Sequence, residues 1–377
     1  MSNKTTIQSY NTRLSDNNNE LRKILTSIES LPEIQEPTLQ DKLVEITTNG
    51  ITNIVADEGF DGIGNVEINT NIPSGIVPNE KAIYFDNWNK DGYPTKAVIS
   101  GWTGTQIPSY LFRYQGSSYS PLCRYLEEVD IQQTGKNCLI MEYCFGGLTN
   151  LKKVNLPSTV TELRGATFYN CTALEEIDIS NITLVQNSFS GCTALKNIIF
   201  NTTKGWGTGG SAFRYVPIEE FISNTCNNIA YYCFDSCTKL KKVNVSSPSV
   251  SSGNNLAYNA FSNCTSLVSA SFENLFLNSS SVSSDSKGQF YNCTALKAVW
   301  LGSRISYAPI TRYAFSACTA IQKLYINLPR ATVEAWTNYQ YAFSNNAFTT
   351  DVIICSDDEG FITKEEFDAI DWSTYTG

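Results

Sequence analysis

The sequence contains no histidine. That absence removes Ser-His-Asp triads, Cys-His pairs and imidazole-ligated metals. Charge is also scarce. Asp, Glu, Lys and Arg make up 17% of the chain, 36 acidic against 27 basic, for a net charge of −9. A net acidic surface repels phosphate backbones, so nucleic-acid binding is disfavoured. No apolar run reaches the roughly 18 residues a membrane span needs, so none is expected. The opening MSNKTTIQSYNTRL lacks the apolar stretch of a secretory signal. What fills the composition is a 42% hydrophobic fraction, enough for a sizeable core, with 20 Tyr and 19 Phe. Abundant Ser, Thr and Asn complete the picture of a β-rich, loop-rich protein.

Self-similarity is the strongest signal in the chain. One unit runs Phe168, Cys171, Thr172, Leu174, Ile177, Ile179, and the next runs Phe189, Cys192, Thr193, Leu195, Ile198, Phe200. Further copies begin at Phe234, Phe261, Phe290 and Phe315. Weaker ones begin at Phe112, Phe145, Phe213 and Phe343, and the steps from Phe145 onward run from 21 to 29 residues. Apolar residues two apart, such as Ile177 and Ile179, fit a short strand with one buried face. A single unit cannot bury that face, so neighbouring units must stack.

Six of the 12 cysteines, Cys171, Cys192, Cys237, Cys264, Cys293 and Cys318, share one place in the unit. Free Cys behaves as a small buried hydrophobe, so this column is expected to be a reduced, buried ladder. On this reading Cys237→Ser costs roughly 1 to 3 kcal/mol through an unpaired hydroxyl. Zinc is disfavoured, because successive Cys lie far apart in sequence and no His is available. No role follows for Cys138, Cys144, Cys226, Cys233 or Cys355. No cofactor is expected. Neighbouring carboxylates such as Glu175 and Glu176 point to opposite faces of a strand, so an enzyme is not expected.

These repeats resemble the cysteine-containing, BspA-like leucine-rich repeats of bacterial surface proteins, over about two-thirds of the chain. The resemblance implies an α/β repeat solenoid with a parallel sheet on its concave face. It also implies a non-enzymatic protein that binds proteins or cell surfaces. The solenoid is assigned to residues 77–377, opened by a cap around DGYPTKAVISGWTGTQIPSYLF and closed by a C-terminal helix.

Ahead of it, residues 1–35 carry a heptad. Positions a are Ile7, Leu14, Leu21 and Ile28, and positions d are Tyr10, Asn17, Ile24 and Leu31, with Pro32 ending the pattern. The a and d choices favour a homotrimeric coiled coil with Asn17 setting register. Residues 36–76 read as a small β module, with turns at Asn49-Gly50 and Asp61-Gly62. The order Leu31-Pro32, Thr38-Leu39-Gln40 and Asp61-Gly62-Ile63-Gly64-Asn65-Val66 resembles modules of phage tail and fibre proteins. That resemblance implies a virion protein anchored to other virion proteins through its N-terminus. The alternative is a bacterial cell-surface adhesin.

The residue between the two buried ones of each strand faces outward. That column reads Asp130, Asn155, Asp178, Ile199, Asn244, Ser271, Trp300, Tyr325 and Ile353. Trp and Tyr are enriched in binding hot spots, so Trp300, Tyr325 and Ile353 are the expected contact row for a host-surface glycan or protein. A neighbouring subunit or a folded-over segment would cover such a row equally well. The Gly-rich TTKGWGTGG around Trp206 is expected to be a loop and a second contact candidate; it lacks the Lys-Ser/Thr ending of a phosphate loop. Near the end, Asp357, Glu359 and Glu366 imitate a calcium loop, but Cys355 falls at its first position. Thr363 with Glu366 reads instead as a helix capping box.

Overall fold

The computed structural model describes residues 43–47, 50–55, 64–65, 67–70, 83–89, 93–100, 102, 104–114, 121–132, 134–203, 205–248, 255–277, 288–303, 313–335 and 352–376. The heptad of residues 1–35 lies outside them, as does Phe343.

From the coil of Phe112 to that of Phe261, each unit of the repeat forms two strands. In the coil of Phe168, the first strand is Glu176–Asp178 and the second is Leu184–Val185. First strands line one face in three sheets, with Glu176–Asp178 and Asn197–Ile199 pairing only with each other between a sheet that ends at Lys153–Asn155 and one that begins at Glu220–Ser223; second strands line another face. The second face includes a continuous six-stranded parallel sheet from Gln106–Ile107 to Cys226–Asn228. Helix is nearly absent among the described residues: α1 is Arg330–Glu334 and α2 is Lys364–Ala369. The expected α/β solenoid is therefore a β-solenoid. The repeat returns through a short second strand because its Val160-, Leu184- and Trp206-type segments are too brief for a helix of even two turns.

The spine of the core is a stack of Phe rings. Phe112, Phe145, Phe168, Phe189, Phe213, Phe234, Phe261, Phe290 and Phe315 follow one another with centroids 5.1–5.6 Å apart. Each aromatic pair adds about 0.5–1.5 kcal/mol beyond its buried area. The turn that carries each Phe is held from coil to coil by main-chain bonds, such as Phe168 N to Ser188 O at 2.8 Å and Phe189 N to Ala212 O at 2.8 Å. It is also bent by left-handed residues two before and two after the Phe. Examples are Ala166 and Asn170, Tyr232 and Ser236, and Asn259 and Asn263. Asn tolerates this conformation better than most residues, which explains the recurring Asn-Cys-Thr.

At the N-terminal end the strand Ile83–Trp88 runs antiparallel to Pro94–Ile99, which then pairs in parallel with Glu128–Ile131. This hairpin extends the sheet beyond Glu128–Ile131. Gly64–Asn65 adds to the same sheet through Phe85 and Tyr84, so the ladder crosses the expected 76/77 boundary. The strands Leu43–Thr47, Gly50–Val55 and Glu67–Thr70 form a separate three-stranded sheet, with Thr47 opposite Gly50 across a tight hairpin.

Candidate interaction surface

The outward column of the first face follows from strand register. Asp178 lies opposite Ile199, Ile222 opposite Asn244, Asn244 opposite Ser271, Ser271 opposite Trp300, and Trp300 opposite Tyr325. Beyond Tyr325 comes Ile354, while Ile353 lies opposite the inward Leu324. Ile353 is thus a core residue, 2% exposed, and not part of the contact row expected for it. The last coil carries one residue more between Phe and strand than its neighbours, and a one-residue slip turns every side chain to the other face. The same effect hid Ile222. The coil of Phe213 is one residue shorter than the rest, and Ile222, the residue after buried Phe221, is the true outward position.

Trp300 and Tyr325 do occupy the outward column, but they are 2% and 5% exposed. Residues 361–375 fold across them. Phe367 and Trp372 form a second small core with Trp300 and Tyr325, joined at its edges by Phe361, Ile362, Ile370 and Tyr375. Trp300 Nε1 donates to the Ile362 carbonyl at 3.1 Å. Ser271 Oγ donates to Asp368 Oδ1 at 2.6 Å, and Lys364 Nζ, itself buried, reaches Asn244 Oδ1 at 2.6 Å and Asp368 Oδ2 at 2.7 Å. Lys297 Nζ donates to the carbonyls of Ser373 and Tyr375. The expected C-terminal helix is present with its capping box on Thr363 and Glu366. It does not close the end of the solenoid. It lies as a strap over the sheet face, because the apolar sequence at 298–325 offers it a surface there. Desolvation by burial raises the Tyr325 hydroxyl above its ordinary pKa.

The strap stops at Asn244. Next in the column Ile222 is open, 53% exposed, and so is Ile199, 59% exposed, in the separate two-stranded sheet that precedes it. The flanking rows alternate in charge from coil to coil. Lys152 pairs with Glu127 at 2.8 Å, Lys241 with Glu219 at 2.7 Å, and Lys96 with Glu128 at 3.2 Å. These exposed pairs contribute little energy singly, but a slip of one coil would bring like charges together.

Trp206 is not in a loop. It is buried in the strand Trp206–Thr208 of the second face, and its Nε1 donates to Ser223 Oγ. The glycines around it let neighbours approach: a side chain on Gly205 or Gly209 would meet Asn227 or Gln186 at under 3 Å.

All 12 cysteines are free and buried. The six of the column each donate Sγ–H to the carbonyl of the Phe one coil earlier, at 3.0–3.1 Å. Cys144 and Cys233 precede Phe145 and Phe234, in a column of small buried residues that also holds Thr167, Ser188, Ala212 and Ala260. Cys138, Cys226 and Cys355 sit in strands. Desolvation pushes the Cys192 and Cys226 thiols up to about 12.

A family model described as the BspA type leucine rich repeat region matches the chain in six copies, over residues 105–241 and 208–349. No curated protein matches it significantly. Among solved structures it is similar to a T. pallidum leucine rich repeat protein, at 16% identity over 70% of this chain and 97% of that one, with a TM-score of 0.33. It is also similar to a leucine rich cell surface protein from Faecalibacterium prausnitzii A2-165, at 17% identity over 79% and 98%, with a TM-score of 0.36. A third is a leucine-rich repeat protein from Bacteroides ovatus ATCC 8483, at 15% identity over 73% and 88%, with a TM-score of 0.28.

Proposed function

The chain belongs to the BspA-type leucine-rich repeat family, and on that premise we propose that it is a non-enzymatic display scaffold of a phage particle, a fibre or adhesion protein whose solenoid touches the host surface. The observation that carries the scaffold reading is the first face itself: a row of outward side chains repeated coil after coil, suited to an extended macromolecular partner. Its buried columns are spent on packing by Phe, Cys, Leu and Ile. The virion reading rests on the first 76 residues, where the heptad and the Asp61–Val66 motif follow the order of phage tail modules. In this proposal Ile7, Leu14, Asn17, Leu21, Ile24, Ile28 and Leu31 hold a homotrimer that docks on other virion proteins.

Family membership by itself fits a bacterial cell-surface adhesin as well. Immunogold labelling with antibody to the solenoid separates the two. Label on the outside of particles supports the virion reading. Label on the cell envelope of a bacterium that expresses the chain transfers it to the adhesin. Label confined to the cytosol overturns display altogether. Light scattering of the full chain is expected to give three times the 41.8 kDa monomer mass; a monomer would remove the trimer from the proposal.

A further inference from the structure

We propose that Lys364 and Asn244 become joined by an intramolecular isopeptide bond, with Asp368 as the proton carrier, so that the strap is tied covalently to the sheet. The proposal is independent of the display reading above, because it concerns only how residues 361–375 are fastened.

An amine, an amide and a carboxylate meet under the strap. Lys364 Nζ lies 2.6 Å from Asn244 Oδ1 and 2.7 Å from Asp368 Oδ2. The carbon of the Asn244 amide is one C=O bond, about 1.2 Å, behind Oδ1, so a small turn of the lysine side chain brings Nζ onto it. Ser271 Oγ donates to Asp368 Oδ1 at 2.6 Å and leaves Oδ2 to the amine. Asn244 and Ser271 lie opposite one another on paired strands, and Ser271 lies opposite Trp300. The site therefore borders the small core of Trp300, Tyr325, Phe367 and Trp372. Water is largely excluded, with the side chains of Lys364 and Asp368 only 9% and 18% exposed. By contrast, Lys152 and Lys241 pair with their carboxylates in the open. A buried ammonium carries a desolvation cost. Lys364 is also the first residue of α2, the end of a helix that favours anions over cations. Conversion to a neutral amide removes both penalties.

The reaction needs only these three side chains. Asp368 takes a proton from the Lys364 ammonium, which leaves Nζ a neutral nucleophile. Nζ adds to Asn244 Cγ, and the amide oxygen takes up the negative charge. The Asp368 carboxyl gives its proton to Nδ2 and receives one from Nζ. The carbonyl re-forms, the Cγ–Nδ2 bond breaks and ammonia leaves; the proton still on Asp368 then passes to the ammonia. One amine and one primary amide become one secondary amide and one ammonia, with nothing oxidised or reduced. Holding amine and amide in contact makes the step intramolecular, and well-oriented pairs of this kind reach effective concentrations of about 10⁵–10⁸ M.

The test is the intact mass of the full chain, folded, incubated, then reduced and denatured. The parent is expected to be lighter than its sequence by one ammonia. Trypsin should then yield residues 243–287 joined to 331–377, uncut at Lys364. Lys364→Arg keeps the charge but loses the nucleophile, and Asp368→Asn keeps the shape but loses the proton carrier. Both should fold, as circular dichroism will show, and both should have the full sequence mass. A folded parent of full sequence mass after prolonged incubation overturns the proposal. So does ammonia lost without the joined peptide, as from a succinimide at Asn49-Gly50, and so does a joined peptide formed equally well in Asp368→Asn. Display is judged separately by the immunogold experiment, so either proposal can fail alone.

Discussion

The thiol of Cys237 donates to the carbonyl of Phe213 at 3.1 Å, bridging one coil to the next. That carbonyl also receives the Val216 amide of its own coil at 3.1 Å. The column cysteine therefore satisfies a second lone pair while filling a small apolar space. Serine at this place keeps a donor aimed at the same carbonyl, so the unpaired hydroxyl expected from sequence does not arise. Cys237→Ser is expected to cost about 1 kcal/mol, from the shorter bond and the lost sulfur contacts. Cys237→Ala, which loses donor and volume together, should cost about 2 kcal/mol. Urea unfolding of the two variants checks the order; a serine variant less stable than the alanine variant would refute it.

Alkaline pH should unfold the protein steeply. Burial raises the thiols of Cys192 and Cys226 to about 12 and that of Cys355 to about 11, from an ordinary 9.0. In the unfolded chain these thiols lose their protons near pH 9, while in the folded chain they keep them. The unfolded state then binds fewer protons, so stability is fully present below about pH 8.5 and falls as pH rises toward the folded values. Each such thiol contributes a slope approaching 1.4 kcal/mol per pH unit. Melting temperature between pH 7 and pH 10.5 should drop, and thiol reagents should react at pH 8 only after denaturant is added. A flat profile across this range would show that burial of the thiols is not what the fold depends on.

The repeat was legible because it writes the same buried residues at the same spacing many times over. Phe168, Cys171, Leu174 and Ile177 stand in for every strong copy, and the Phe and Cys columns stack as their spacing requires. The second strand was not legible. Leu184–Val185 or Phe276–Leu277 is too short to show alternation, and Trp206 hides among glycines that resemble a loop. The contact row failed for another reason. Composition identified Trp300 and Tyr325 as exposed by register, and register was right. What covers them comes from residues 361–375, a long-range contact that no local pattern encodes.

Left-handed backbone at non-glycine residues offers a route to a more stable chain. Two residues after their Phe, Asn263 and Asn292 hold φ of 59° and 60°, and Ala317 holds 61°. Asn292 Nδ2 donates to Asn263 Oδ1 at 3.0 Å, and Asn263 Nδ2 donates to Asp235 Oδ1 at 3.0 Å, so the column carries a side-chain ladder. Ala317 is the next rung and has no side chain to continue it. Alanine gains nothing in this conformation, whereas asparagine adopts it readily. Ala317→Asn is expected to stabilise by about 1 kcal/mol, a rise of about 1–2 °C in Tm for a chain of this size. Ala317→Val, β-branched and strained at positive φ, should lower Tm instead. Equal Tm for the two variants would rule out backbone strain as the cause.

The strap converts what looked like a contact row into part of the fold, and this changes what mutation of that row should do. Tyr325 meets Phe367 edge-on at 5.9 Å and Trp372 at 6.4 Å, and Phe367 lies 4.9 Å from Trp372. Trp300→Ala removes a buried indole and the donor to the Ile362 carbonyl, and should cost about 3–5 kcal/mol. Phe367→Ala should cost a similar amount, because its ring fills the same small core from the other side. If strap and sheet form one unit, Tyr325→Ala and Phe367→Ala must be non-additive. Either change alone empties the shared contact, so the pair should cost less than the sum by about 0.5–1.5 kcal/mol. Tryptophan emission supplies a second readout. Trp300 and Trp372 are buried together, so Phe367→Ala should shift emission to the red while the Phe stack remains intact. Additive costs, or emission unchanged in Phe367→Ala, would mean that residues 361–375 rest on the sheet without being held by it.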